Sequence, residues 1–177
     1  MTDYDKAMAD RAQRFREAVL PCLDDAYKFA YFLMRDRVSA EDAVQECFLR
    51  ARRCFDNWRG PAIKPWLLAI LRNVCHADLT RHGQHKAAAR LSDGAQDGTS
   101  ILRLLGALPP QLREIIVLRE CNHMSYREIA EVTGVSPGAV MSRLAQARAM
   151  MSVGRPARDN AMQGQSGPIR QRGCDVS

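Results

Sequence analysis

The side chains best suited to chemistry fall in two clusters, and in both the chemistry is binding rather than bond-making. Between Phe55 and Arg81 the chain interleaves rings and cations: Phe55, Trp58, Arg59, Lys64, Trp66, Arg72, Asn73, His76 and Arg81. Rings stack on unpaired bases and cations follow the phosphates between them, so this is the material of a single-strand nucleic-acid surface. The same mixture also builds ordinary cores. Trp66, inside Pro65-Trp66-Leu67-Leu68-Ala69-Ile70-Leu71, reads as a core residue, whereas Trp58, beside Gly60 and Pro61, reads as a loop residue that is hard to bury. The second cluster is Arg143, Gln146 and Arg148, donors on one helix that can reach phosphates or base edges in a major groove.

The elements that position the second cluster are legible from caps and turns. Ser125-Tyr126-Arg127-Glu128 is a capping box, in which Ser125 accepts from the backbone of Glu128 and Glu128 reaches back to the cap. The helix it starts ends at Gly134, which can take positive φ, and Ser136-Pro137 restarts a helix with Ser136 as cap and Pro137 in the first position. Ile129, Ala130, Val135, Val140 and Leu144 have the spacing of a buried corner. Gly138, Ala139, Met141, Ser142, Arg143, Gln146 and Arg148 are left on or near the outer face of the second helix. Small residues at 138 and 139 let the start of that helix approach a duplex, and Met141 stands where a further cation is expected. A helical hairpin with a solvated polar face has the same outline.

Ser39-Ala40-Glu41-Asp42 is a second capping signal. The helix after it buries Ala43, Val44, Cys47, Phe48, Ala51 and Phe55 and turns Glu41, Asp42, Gln45, Glu46, Leu49 and Arg52 outward, as a solvated face or an interface. Around these signals, apolar residues recur at helical spacing from Phe15 to about Arg81 and from Ile101 to about Met151, with no strand-like alternation of useful length. The expected fold is all-α: two small helical domains, residues 12–83 and 100–153, joined by a flexible linker at 84–99 and followed by a disordered tail at 154–177.

In 177 residues no apolar run approaches the length of a membrane span, and the acidic start (Asp3, Asp5, Asp10) lacks the form of a signal peptide, so a cytoplasmic protein is expected. Cys22, Cys47, Cys54, Cys75, Cys121 and Cys174 form no CxxC pair and read as reduced, buried thiols; Cys47 and Cys54 lie too far apart along one helix to bond. Cys174-Asp175-Val176-Ser177 fits a prenylation box only formally, because Asp175 takes an aliphatic position. His76, His82 and His85 with Cys75 could converge on an ion, but a solvated or DNA-facing segment is the commoner outcome; no metal and no other cofactor is expected. A P-loop, GxSxG and HExxH are all missing, which agrees with the absence of catalytic residues that the resemblance described next implies.

The order of these pieces closely resembles the bacterial extracytoplasmic-function (ECF) sigma factors of the sigma-70 superfamily. Ala40-Glu41-Asp42-Ala43-Val44-Gln45-Glu46-Cys47-Phe48-Leu49-Arg50-Ala51, Pro65-Trp66-Leu67 and Leu71-Arg72-Asn73 look like the family's region 2. Leu108-Pro109-Pro110-Gln111-Leu112-Arg113-Glu114, Leu118-Arg119-Glu120, Ser125 to Ala130 and Gly138 to Arg148 look like its region 4. The resemblance implies that Asp42, Gln45, Glu46, Leu49 and Arg52 dock on the β′ clamp helices of core RNA polymerase. It implies that Asn57, Trp58, Arg59, Lys64, Arg72, Asn73 and His76 hold a flipped base and strand at the −10 element. Arg127, Ser136, Gly138, Ala139, Met141, Ser142, Arg143, Gln146 and Arg148 then read the −35 duplex, with the polymerase β flap as a further contact. An anti-sigma factor is implied as inhibitor, and with it attachment to the inner membrane if that inhibitor is membrane-bound.

Two other functions share part of this pattern. A stand-alone helix-turn-helix regulator explains residues 108 to 151 but gives the Asp42-Gln45-Glu46 face no purpose, and a sigma-like mimic that sequesters an anti-sigma factor needs no promoter opening. Charge bears on the choice: the net +6 divides into 13 basic and 12 acidic side chains over residues 1–80, 3 and 2 over 81–100, 6 and 4 over 101–153, and 4 and 2 over 154–177. No segment is basic enough to bind DNA by bulk electrostatics, so a protein partner is expected to come first.

Overall fold

The computed structural model describes residues 3–82 and 99–153. The tail, His85 and all but the last residue of the expected linker lie outside the described residues; Thr99, expected in the linker, opens a helix instead. The elements in order are α1 (Asp3–Val19), a 3-10 turn (Leu20–Cys22), α2 (Leu23–Met34), α3 (Arg37–Cys54), a 3-10 turn (Phe55–Asn57), α4 (Ile63–His82), α5 (Thr99–Ala107), α6 (Pro110–Glu120), α7 (Tyr126–Thr133) and α8 (Pro137–Val153). The all-α expectation is met, and no strand occurs among the described residues.

Helix α1 begins at Asp3, well before the first periodic apolar residue. Its early turns are polar and exposed, so periodicity could not find them, yet Arg11 ties them down: its guanidinium lies 2.7 Å from the Asp56 carboxylate and donates to the Arg52 carbonyl at 2.8 Å. Helix α2 ends on Arg35 in the left-handed region (φ 58°), and the chain re-enters a helix at once. The cap of α3 is Asp36 rather than Ser39: Asp36 is extended and its carboxylate accepts from the Ser39 amide at 2.9 Å. Ser39 is therefore inside the first turn, donating its hydroxyl to the same carboxylate at 2.5 Å, because a carboxylate at the cap satisfies free amides at the positive end of the helix.

Alanines at 26, 30, 40, 43 and 51, all buried, let α2, α3 and α4 approach closely around Phe29, Leu67, Leu68 and Leu71. In the second half α6 is buried through Ile115, Ile116, Val117 and Leu118, with α7 and α8 laid against it. The halves also meet: α2 packs on α6 and α4 on α7, so the buried apolar residues form one cluster. Cys22, Cys47 and Cys75 are buried in it as expected, Cys121 is half-buried, and Cys54 departs from the expectation by lying exposed near the end of α3. Burial raises the Cys47 and Cys75 thiols to about 12.

Candidate nucleic-acid and protein interfaces

The α7–turn–α8 unit is built as its residues dictate. Ser125 Oγ accepts from the Glu128 amide at 3.3 Å, while the Glu128 carboxylate accepts from the Ser125 amide at 2.8 Å. The Ser125 hydroxyl also donates to that carboxylate at 2.7 Å, and this bond together with the one from the Ser125 amide holds the Glu128 carboxyl below its usual range. Gly134 takes φ 71° and donates its amide to the Ala130 carbonyl at 2.9 Å. Ser136 Oγ then accepts from the Ala139 amide at 3.2 Å, opening α8. Ile129, Val140 and Leu144 are buried in the corner, Ala130 and Val135 are half-buried, and Val132 joins them.

The outer face of α8 presents Gly138, Met141, Ser142, Gln146 and Arg148 to solvent, with Ala139 and Arg143 half-buried beside them and Ser136 exposed at the cap. A Cβ on Gly138 would meet nothing within 4 Å, so packing inside the chain does not require glycine there; its absence keeps the leading end of α8 slim. Arg127 is almost wholly exposed on α7, 3.9 Å from Glu131, and Arg148 lies 2.7 Å from Glu120. Both pairs are surface pairs that solvent screens, so either guanidinium can exchange its carboxylate for a phosphate at little cost.

On α3, Asp42, Gln45, Glu46, Leu49 and Arg52 follow helical spacing along one stripe. Four of them are exposed, and Glu46 is half-buried against Arg50 at 2.6 Å. Leu49 is 52% exposed among polar neighbours.

The third set divides. Asn57, Arg59 and Asn73 are exposed. Arg59 folds back on its own loop, donating to the carbonyls of Asp56 and Trp58. Trp58, expected to resist burial, is half-buried: it stacks on Phe55 with centroids 6.3 Å apart, and Phe55 meets Phe15 edge-on at 5.3 Å. Gly60 lies against the indole, where a Cβ would make a tight contact, 3.2 Å from Trp58 Nε1. Trp66 is also half-buried and packed on the core. Lys64, Arg72 and His76 face the second half of the chain. Lys64 Nζ lies 2.6 Å from the Asp25 carboxylate and donates at 2.6 Å to the Asn122 carbonyl. Arg72 pairs with Glu114, and His76 Nε2 lies 3.5 Å from the same carboxylate.

Glu114, Asn122 and Asp25 were not foreseen from sequence. Glu114 carried only a weak signal: it directly precedes the apolar run Ile115 to Leu118, but Arg113 beside it and Gln111, Arg119 and Glu120 on the same helix leave a solvated position equally open from sequence. As for an ion, Cys75 is buried while His76 lies half-exposed beside Glu114. Among the described residues no group of three His, Cys, Asp or Glu is placed to hold a metal.

Known proteins share this arrangement. Residues 19–85 match the family model for sigma-70 region 2 and residues 99–151 the model for sigma-70 region 4. The ECF RNA polymerase sigma factor SigE of Mycolicibacterium smegmatis is 30% identical over 75% of the chain, which spans 58% of SigE's own length. The ECF RNA polymerase sigma factor SigC of Mycobacterium tuberculosis is 30% identical over 70% of the chain and 74% of SigC. Among solved structures, the sigma factor RpoE from Bartonella quintana, in complex with the anti-sigma factor NepR, superposes with a TM-score of 0.70 at 25% identity, covering 80% of this chain and 96% of RpoE. With both sigma-70 regions in order and SigC matched over three quarters of its length, the chain belongs to the ECF family of RNA polymerase sigma factors.

Proposed function

We propose that the chain joins core RNA polymerase, directs it to a subset of promoters and helps open them. The observation that carries this reading is the presence, on one chain, of an exposed recognition face on α8 and a separate exposed stripe on α3 that includes the apolar Leu49. A stand-alone repressor needs the first and has no use for the second. In this reading Asp42, Gln45, Glu46, Leu49 and Arg52 dock on the β′ clamp helices, and the second half lies near the β flap. Arg127, Ser136 and the α8 face from Gly138 to Arg148 read the −35 duplex, while Asn57, Trp58, Arg59, Lys64, Arg72, Asn73 and His76 hold the opened non-template strand. Extruding a base costs a few kcal/mol of unstacking, which ring and phosphate contacts must offset. The chain itself supplies binding and positioning, and bond formation stays with the polymerase.

By extension from RpoE and NepR, an anti-sigma factor holds the protein inactive. It works in the cytoplasm, and at the inner membrane if that inhibitor is membrane-bound. No described helix is long and apolar enough to cross a membrane. Run-off transcription with core polymerase on a genomic promoter library tests the proposal: discrete starts sharing −10 and −35 preferences are expected, and duplex binding without any polymerase-dependent start would overturn it. Glu46→Arg is expected to abolish capture of core polymerase while leaving the far-ultraviolet circular dichroism spectrum unchanged.

A further inference from the structure

Met141 is the one long apolar side chain on a recognition face otherwise made of polar and small residues. It lies in the second turn of α8 and is 53% exposed. Met151, near the other end of the helix, packs on the core; Met141 is not among the side chains that do. Its neighbours on the helix surface are Pro137 and Gly138 one turn before it, Ala145 one turn after it and Ser142 beside it, all exposed. None is long enough to cover the thioether, and the space above Gly138 is open, with nothing within 4 Å of a built Cβ. Met150, the other large apolar side chain exposed on α8, stands about two and a half turns on and so on the opposite side of the helix. Folding therefore does not account for Met141, and an apolar side chain left in water gains free energy when a partner covers it.

Its surroundings say what that partner is. Arg148 lies along the same line of the helix, about two turns further on, and Gln146 and Arg127 are exposed nearby. A helix that enters a major groove meets base edges with its N-terminal turns. Met141, in the second turn, then faces the bases while Arg148 reaches the backbone. On the major-groove edge the one apolar group of any base is the C5 methyl of thymine. Purine N7, guanine O6 and the amino groups of adenine and cytosine all take hydrogen bonds there, and a thioether donates none and accepts weakly. Laid against those groups, Met141 would displace their water without replacing its bonds; laid against a methyl, it buries apolar surface on both sides. We infer that Met141 is a specificity-determining residue, which selects thymine at one position of the −35 element by contact with its 5-methyl group. This rests on the −35 assignment given above. An unbranched, polarisable side chain suits such a contact, and the small residues at 138, 142 and 145 let the helix come close enough to make it. A cation in the same place would reach guanine or a phosphate instead, so base preference and salt dependence would change together.

Holoenzyme assembled from the full chain and core polymerase provides the test. Labelled promoter duplexes carry the −35 sequence found by run-off transcription, and each thymine of that element, on either strand, is replaced in turn by deoxyuridine, which keeps every hydrogen-bonding group and lacks only the methyl. Binding is followed by fluorescence anisotropy. At one position the wild-type holoenzyme is expected to bind the deoxyuridine duplex about fourfold more weakly, the effect of one methyl-sized group leaving an apolar contact. With Met141→Ala that position is expected to become insensitive to the methyl. Met141→Lys is expected to lose the same sensitivity and to steepen the salt dependence by about one counterion. Met141 is exposed, so both variants are expected to keep the circular dichroism spectrum of the wild type. An equal methyl effect in wild type and Met141→Ala, no effect at any thymine, or a −35 element without thymine would overturn the inference and leave the −35 assignment standing. Unchanged affinity on replacing the whole −35 element would overturn that assignment and the inference with it.

Discussion

Helices α4 and α8 both carry basic side chains suited to nucleic acid, yet they reach their present state by different routes. The α8 face is fixed within about twenty residues by Ser125, Gly134, Ser136 and Pro137, and its donors stand in solvent or in screened surface pairs. The α4 face is fixed by Asp25, Glu114 and Asn122, residues 39, 42 and 58 positions from their partners, and its cations are engaged at a buried carboxylate and a carbonyl. A basic face made locally stands open to solvent, whereas one made by distant contacts has its cations paired within the chain.

The strongest way to break this comparison is to remove one side of it. Leu144 is 1% exposed in the corner between α7 and α8, and among the described residues α8 packs chiefly on α6 and α7. Leu144→Ala leaves a cavity and is expected to cost about 3 kcal/mol in denaturant unfolding. Binding to a −35 duplex should fall by far more than binding of a single dT12 strand. Equal losses on both would show that α4 depends on the corner as much as α8 does.

Next in size is the turn. Gly134 lies at φ 71° with nothing within 4 Å of a built Cβ, so conformation alone, not space, demands glycine. Gly134→Val is expected to cost about 2 kcal/mol and Gly134→Asn clearly less, since asparagine tolerates the left-handed region. Thermal unfolding followed by circular dichroism checks the order of the two, and a reversed order would mean that the turn is held by contacts rather than by its backbone.

The same contrast explains what could be read from the sequence. Caps, turn glycine and alternating burial around α7 and α8 are local signals, and the structure places Ser125, Gly134 and Ser136 in those roles. The stripe on α3 was equally legible because one helix sets its spacing. What escaped was set at long range or lacked periodicity: the polar turns of α1, tied down only through Arg11; the Asp36 cap, one helical turn ahead of the serine that imitates it; the Phe55–Trp58 stack; and the engagement of Lys64, Arg72 and His76. No pattern within α4 can report that its cations have partners in α6, since that depends on how two separately periodic segments pack.

A smaller effect tests the capping box. Ser125→Ala is expected to cost about 1 kcal/mol, and part of that is pH-dependent. The Glu128 carboxyl is held below its usual 4.5 by Ser125, so its contribution is present above 4.5 and is lost as pH falls through the lower folded value. Glu128 is largely solvated, which keeps this part small. Denaturant midpoints of wild type and Ser125→Ala should therefore converge as pH falls below 4.5, with a residue from the hydroxyl's own bond to the Glu128 amide. A gap that stays constant with pH would mean that the carboxylate is not part of the cap.

Arg148 gives the smallest stability effect and the sharpest comparison, because it is the α8 counterpart of Arg72. Each arginine is paired with a glutamate of α6, but Arg148 and Glu120 are both 53% exposed whereas the Glu114 side chain is 3% exposed. An exposed pair holds its geometry weakly and competes with water, so Arg148→Ala is expected to change stability by less than about 0.5 kcal/mol. Its effect on DNA should be of another kind: weaker binding to every duplex tested, and a salt dependence shallower by about one counterion, as for loss of a single phosphate contact. Glu120→Ala, which frees the same guanidinium, should leave duplex affinity unchanged or slightly higher. A large gain in duplex affinity for Glu120→Ala would show that an exposed pair can hold Arg148 away from DNA, and exposure would not then distinguish it from the buried pair of Arg72 and Glu114.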